Sequence, residues 1–315
     1  MLRLARGRAG QTDGGADRTL LAVGLVLSAA LCSMAANGAT KYLSAGMSAQ
    51  QILWIRDGMV LAILIPLVWR AGGRRRLRTR RPFLHVFRGL LLLGAGLLFV
   101  SALGRLPLEL CTALTYVAPL FVTALSIPVL RERVGVRRWA AVGVGFLGVL
   151  VILRPVGAGF VWVMLLPVLA ALCWSMVLIV TRLMRLSEAP LTVLFYSSVV
   201  GWLVNGPLAW MSWRTPGDTD WLLLIGIGLG YALGQYLTIR AFMFAPPSLL
   251  APFAYSSMIW AVLIGATVFG TFPDLATVAG TAVLIGAGLY VWHREIVRGR
   301  ERVRRPPEQS PRAPP

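Results

Sequence analysis

The stretch TLLAVGLVLSAALCSMAANGAT, residues 19–40, decides the fold. It carries no charge and reaches the length of about 20 apolar residues that crosses the roughly 30 Å hydrocarbon core of a bilayer. Working outward along the chain, nine further apolar stretches follow, at 50–69, 83–104, 109–130, 139–154, 160–181, 191–212, 221–243, 248–270 and 275–292. The composition agrees: 57% hydrophobic and 14% charged residues, with a mean hydropathy of +0.74, lie far from the average of a soluble domain. The first stretch follows a basic arm and ends in small residues, as a signal peptide does, but its length and its counterpart later in the chain argue for a retained span. The expected fold is therefore an all-α polytopic membrane protein.

The net charge of +19 invites a nucleic-acid reading, which the placement of the basic residues opposes. Of the 31 Lys and Arg residues, 24 fall in the N-terminal arm, in alternate loops and in the C-terminal tail. The opposite loops hold only Lys41, Arg105, Arg154 and Arg214, and Arg56, Arg88 and Arg240 lie inside spans. By the positive-inside rule both termini are expected in the cytoplasm. Charges scattered over short loops do not form the contiguous face that nucleic acid needs, so none is expected as a partner. The basic loop at 70–81 and the Arg- and Pro-rich tail are explained by attraction to anionic lipid headgroups.

Sliding the chain on itself by 139 residues lays Ala102, Pro107, Leu110 and Tyr116 on Ala241, Pro246, Leu249 and Tyr255, and a shift of 141 lays Thr40-Lys41 on Thr181-Arg182. The order of spans repeats with it. Because five is odd, the second unit enters the membrane from the opposite side, which predicts two inverted-topology five-helix repeats making ten transmembrane helices. The expected divisions are a basic arm at 1–18, repeats at 19–155 and 156–295, and a disordered basic tail at 296–315. Inverted repeats point to a secondary transporter with its substrate near the midplane between the units.

Candidate site residues follow from polar and helix-breaking residues inside spans. Pro119 and Pro252 occupy corresponding spans, four and nine, where each removes a backbone donor and bends its helix. Such interruptions mark either a binding site or a packing kink. Arg56 sits about 9 Å into span 2, where a charge is costly unless it pairs or faces water. It is read as the anchor for an anionic substrate group, against the alternative of a structural pair with another helix. Asp57 is adjacent but should diverge by about 100° on the helix, so the two are not expected simply to neutralise each other.

Tyr116, Tyr255, Trp174 and Gln235 offer stacking faces and hydrogen bonds to a flat heterocycle, though ordinary packing explains any single aromatic. Arg240, His85 and, less clearly, Arg88 are expected to snorkel to the interface, and Glu109 and Asp274 to meet water at span ends. Gly226, Gly230 and Gly234, with Gly145, Gly148, Gly286 and Gly288, suggest close helix packing and a possible homodimer. Cys32, Cys111 and Cys173 lie in spans as packing residues. No cofactor, metal or enzymatic activity is expected, since no ligand cluster or nucleophile–base motif is present.

Arg81 to Leu91, RPFLHVFRGLL, Leu130 to Pro155, LRERVGVRRWAAVGVGFLGVLVILRP, and Ser248 to Gly265, SLLAPFAYSSMIWAVLIG, resemble the EamA branch of the drug/metabolite transporter superfamily. The resemblance covers roughly residues 19 to 295. It implies ten helices in two halves, a central cavity lined by the first four helices of each, and peripheral fifth helices. The RP-x-x-H-x-x-RG pattern is most similar to the S-adenosylmethionine and riboflavin permeases, while amino-acid and other metabolite exporters share the scaffold. Glu132 after span 4 has no counterpart after span 9, so its role is not symmetric. The expectation is an inner-membrane permease moving a small polar metabolite by alternating access, with Arg56, Tyr116, Pro119, Trp174, Gln235 and Tyr255 lining its site. A non-transporting scaffold or sensor is the competing class.

Overall fold

In hydrocarbon a helix satisfies its backbone polar groups within its own segment, so apolar runs of this kind fold as helices. The computed structural model describes residues 10–70, 72–73, 77–130, 135–155, 161–184, 187–245 and 247–304. Among them twelve α-helices follow in order: α1 (Gly10–Leu43), α2 (Ala49–Arg70), α3 (Pro82–Leu103), α4 (Leu108–Thr115), α5 (Ala118–Leu130), α6 (Val136–Leu153), α7 (Leu165–Met184), α8 (Pro190–Met211), α9 (Asp218–Phe244), α10 (Pro247–Ala254), α11 (Ser257–Ile264) and α12 (Leu275–Arg304). A 3₁₀ turn at Trp162–Met164 leads into α7, and a π turn at Gly265–Phe269 closes α11.

Nine segments of the described chain are long and apolar enough to cross a membrane, with α4 and α5 counting as one and the end of α10, α11 and the π turn as another. The tenth expected span, α6, is apolar only over Trp139–Leu153. That is about 22 Å at 1.5 Å per residue, short of the roughly 30 Å core, and a short span is accommodated by local thinning or by flanking basic residues. Helix also extends beyond the expected limits at both ends. It starts at Gly10 within the N-terminal arm and runs to Arg304, into the tail expected to be disordered, because Arg and Glu there are good helix formers. Residues 305–315 and Glu132 lie outside the described residues.

The helices of the two halves pack crosswise. The main pairs are α1 on α9, α3 on α7, α2 on α8 and α6 on α12, joined by α1 on α11 and α5 on α7. Counted by span within each half, first meets third in both directions, second meets second, fourth meets first, and fifth meets fifth. The fifth helices therefore pack chiefly on each other. Glycines set the closest approaches. A Cβ at Gly230 would lie 3.3 Å from the Cys32 carbonyl, and one at Gly234 would press on Ser33 and the Ala29 carbonyl. Gly148 and Gly280 each face the other's carbonyl, at 2.9 and 2.6 Å from a built Cβ. By contrast Gly226 and Gly286 face open space, so the glycine spacing in the sequence marks more positions than the packing uses.

Spans four and nine are interrupted as expected, but the interruption follows the tyrosines. The break between α4 and α5 falls at Tyr116 and Val117, just before Pro119, and that between α10 and α11 at Tyr255 and Ser256, after Pro252. At both, the backbone tightens to i→i−3 bonds, Tyr116 N–H to Ala113 O and Tyr255 N–H to Pro252 O among them. Pro119 accounts for its break, since it cannot donate to the Thr115 carbonyl. Pro252 sits inside α10 and does not place the second break directly.

The ends of the bundle are tied by polar contacts. Asp274 caps α12, its Oδ1 accepting the Thr277 N–H at 2.8 Å, and pairs with exposed Arg154 across the chain. The Thr277 bonds, more than Arg154, hold the Asp274 carboxyl below its ordinary value. The α6–α12 crossing yields the first prediction. Gly280→Val drives a side chain into the Gly148 backbone and should destabilise the protein by about 1–3 kcal/mol, whereas Gly286→Val should be near neutral. Melting of the two purified variants in one detergent checks the difference.

Candidate functional site

Arg56 lies on α2, and Tyr231 and Gln235 lie one turn apart on α9, which α2 meets beside its main partner α8. The Arg56 guanidinium stands 4.5 Å over the Tyr231 ring, a cation–π contact that gains strength where water is excluded. Gln235 Nε2 donates to the Tyr231 hydroxyl at 3.3 Å. Against the sequence expectation, Arg56 also pairs with its neighbour: Nε and Nη2 both donate to Asp57 Oδ1, at 3.0 and 2.8 Å. The roughly 100° between adjacent residues does not prevent this, because the long arginine stem bends back. The pair leaves Arg56 Nη1 and Asp57 Oδ2 without a hydrogen-bond partner among the described residues. Gly201 of α8 makes room for the carboxylate, since a Cβ there would come within 2.9 Å of Oδ2.

Arg88 belongs with this group, although the sequence placed it toward the interface. Only 7% exposed, it does not snorkel. It donates from Nε to Thr181 of α7 at 2.7 Å, and from Nη1 to Ser197 of α8. No carboxylate among the described residues pairs with it, and the Tyr231 hydroxyl is within electrostatic range of both Arg88 and Arg56. A buried guanidinium held only by neutral hydroxyls keeps attraction for an anion. The signal in the sequence was its place as the sixth residue of span 3, too deep for an easy exit.

Tyr116 and Tyr255 form a second cluster. Their rings meet edge to face at 5.1 Å, and the Tyr116 hydroxyl reaches Ser257 Oγ at 2.8 Å and the Tyr255 carbonyl at 3.2 Å. The helix break in each half thus answers that in the other, with Pro119 two residues beyond Val117. The Tyr255 hydroxyl abuts Gly288 of α12. Trp174 stands apart: it is 38% exposed and shares no ring contact or hydrogen bond with either cluster among the described residues. Of the six residues singled out, then, Arg56 joins Gln235, and Tyr116 joins Tyr255 beside Pro119.

At the basic end, where the Arg-rich loops lie, His85 is fully buried rather than snorkelling. Its Nε2 is 3.3 Å from Glu188 Oε2 and its ring lies 4.7 Å from that of Tyr196. Glu188 also accepts from Thr79 Oγ1 at 2.8 Å and from the Arg80 N–H, so the loop before α3 is fastened to the loop before α8. Burial pushes the Glu188 carboxyl up, but the Thr79 bond, the adjacent His85 and the Arg80 N–H outweigh it and hold the carboxyl below its ordinary value. Arg240, in contrast, is exposed and lies over the Tyr236 and Phe244 rings, as snorkelling predicts.

Comparison with known proteins gives one consistent result. The model of the EamA-like transporter family matches twice, over residues 20–154 and 161–292. The S-adenosylmethionine uptake transporter of Rickettsia prowazekii (strain Madrid E) is 30% identical over 81% of this chain and 87% of that protein. The riboflavin transporter of Vibrio cholerae serotype O1 is 30% identical over 87% of this chain and 94% of its own length. A solved crystal structure, 19% identical, superposes with a TM-score of 0.59 over 91% of this chain and 99% of the other, a likeness of fold.

The depressed Glu188 carboxyl carries a pH prediction. A carboxyl lowered on folding adds stability that is present above its unfolded pKa and lost as pH falls through its folded one. Glu188→Gln should therefore melt lower than the parent at neutral pH, with the gap closing as pH drops below the ordinary carboxylate range. A melting series of both proteins against pH measures it.

Proposed function

The chain belongs to the EamA-like transporter family, and on that premise we propose that it is a permease for S-adenosylmethionine or a closely similar metabolite bearing an α-amino-acid group. The observation that carries the reading is the half-spent Arg56–Asp57 pair inside the membrane. Arg56 Nη1 and Asp57 Oδ2 are left over from the pair, and the carboxylate and ammonium of a zwitterion are the groups that would take them up. The Tyr231 ring, held by Gln235, supplies a face for a sulfonium or a heterocycle, since aromatic rings attract cations and stack on flat groups. Riboflavin, the cargo in another relative's name, offers the heterocycle without the zwitterion.

The transport cycle is alternating access between two inverted halves, 19–155 and 156–295, together making ten spans. Support comes from the two family matches, from the crosswise pairing of α1 with α9 and α3 with α7, and from the odd number of spans per half. The basic end faces the cytoplasm of an inner-membrane protein, as the Lys and Arg distribution favours. The site lies on the seam between halves, so rocking one half against the other exposes it to each side in turn. Arg88, deeper toward the basic end, continues the positive lining on the cytoplasmic side, and Tyr116, Tyr255 and Pro119 complete the reading as lining residues. The arrangement asks for no catalysis: it binds, orients and releases.

Ligand-dependent melting tests the assignment. A ligand that binds only the folded protein stabilises it by about 2.7 kcal/mol at one hundred times its Kd. S-adenosylmethionine should raise the melting temperature more than riboflavin or simple amino acids. Arg56→Ala should abolish the shift, since truncating one member of a buried charge pair costs about 2–5 kcal/mol. A larger shift with riboflavin, retained in Arg56→Ala, would reject the zwitterion site.

A further inference from the structure

We propose that Glu109 is a proton-binding site whose ionisation is linked to opening of the bundle at the end opposite the basic loops. The sequence places Glu109 in the first turn of α4, where water was expected, but the side chain is only 1% exposed. Its Oε1 has no hydrogen-bond partner among the described residues. Its Oε2 lies 3.3 Å from Thr271 Oγ1, which is itself 3.3 Å from the Gly265 carbonyl.

One hydroxyl hydrogen serves that chain of contacts, and its direction depends on the carboxyl. When Glu109 is neutral, its O–H donates to Thr271 Oγ1, and Thr271 donates onward to the Gly265 carbonyl. The atom left over is then a neutral carbonyl oxygen, whose missing partner costs far less than that of a carboxylate. When Glu109 is ionised, Thr271 turns its hydrogen to Oε2, and a charged oxygen remains buried without a donor.

The surrounding charges do not reverse this. Lys41 of α1 is within electrostatic range, but its Nζ is directed to the carbonyls of Leu103 and Leu106 at 3.2 and 2.5 Å and lies over the Phe269 ring. Cys111 is the other titratable group nearby on α4. Arg154, after α6, and Asp274, before α12, line the same cavity of about 200 Å³ as Glu109, and they pair with each other. Among the described residues no cation comes within ion-pair distance of Glu109.

Position gives the proton its role. Glu109 belongs to the first half, while Gly265 and Thr271 follow α11 in the second. Separating the halves here breaks the Thr271 contact and opens the carboxyl to water through the adjoining cavity. The proton then leaves as H⁺ to water, and the resulting carboxylate opposes reclosure until it is protonated again. Rested on the permease reading above, this makes cargo movement responsive to a proton gradient.

Infrared difference spectroscopy of the reconstituted full chain tests the site without reference to cargo. A buried carboxylic-acid C=O band at neutral pH, lost in Glu109→Gln, is the expected result, and spectra of parent and variant with no such difference would overturn the proposal. Thr271→Val is a second probe, expected to move the band toward the position of an unbonded acid. In vesicles, an imposed pH gradient should alter S-adenosylmethionine flux in the parent and leave that of Glu109→Gln unaffected. A response to sodium at equal pH, abolished in the same variant, would overturn the proton in favour of a metal cation. If the band is present but no cargo moves, the proton site stands and the permease assignment fails.

Discussion

A polar group buried in hydrocarbon has to find its partner inside the protein, and that requirement organises the interior of this molecule. Apolar side chains gain little from preferring each other over lipid, so the bundle is specified by close backbone contact and by polar pairs. Both lie where the two halves meet. Arg88 reaches from α3 to hydroxyls of α7 and α8, Tyr116 reaches from the α4–α5 break to Ser257 and the Tyr255 carbonyl, and Glu109 reaches Thr271. The contacts that hold the protein together are thus those that have to part and re-form if the halves move.

The same arrangement separates three levels along the seam. His85 and Glu188 fasten the basic end, together with Thr79. The middle holds Arg56, Asp57, Tyr231 and Gln235. The far end is tied by Glu109 with Thr271, and by the Gln51 side chain of α2, which donates to the Arg214 carbonyl and accepts from the Arg214 N–H. Ties of this kind are the gates that the proposed alternating access requires. Hydroxyls and carbonyls suit such gates, because water can replace them at modest cost whenever one end opens.

Residue type and spacing made much of this legible in advance. Apolar length reveals a span directly, and the 139-residue shift placed Tyr116 on Tyr255 before their rings were known to touch. What the sequence could not show is direction and depth. Arg56 bends back to Asp57 because of its rotamer, which periodicity does not determine. His85 and Glu109 read as interfacial because they lie near span ends, yet loops and the π turn of α11 fold over them and exclude water. Trp174 has a residue type that suits a site but a face that leaves it exposed. The interruption of span nine follows Tyr255 rather than Pro252, since the tyrosine's partners lie in the other half and are invisible to local propensity.

Counterflow tests the central claim most directly. Vesicles carrying the purified protein are loaded with unlabelled S-adenosylmethionine and diluted into a trace of labelled compound. A permease with one site alternating between the two sides should accumulate label transiently above its equilibrium level, and Arg56→Ala should show no overshoot. Folded, reconstituted protein that takes up no label beyond empty vesicles would contradict the account.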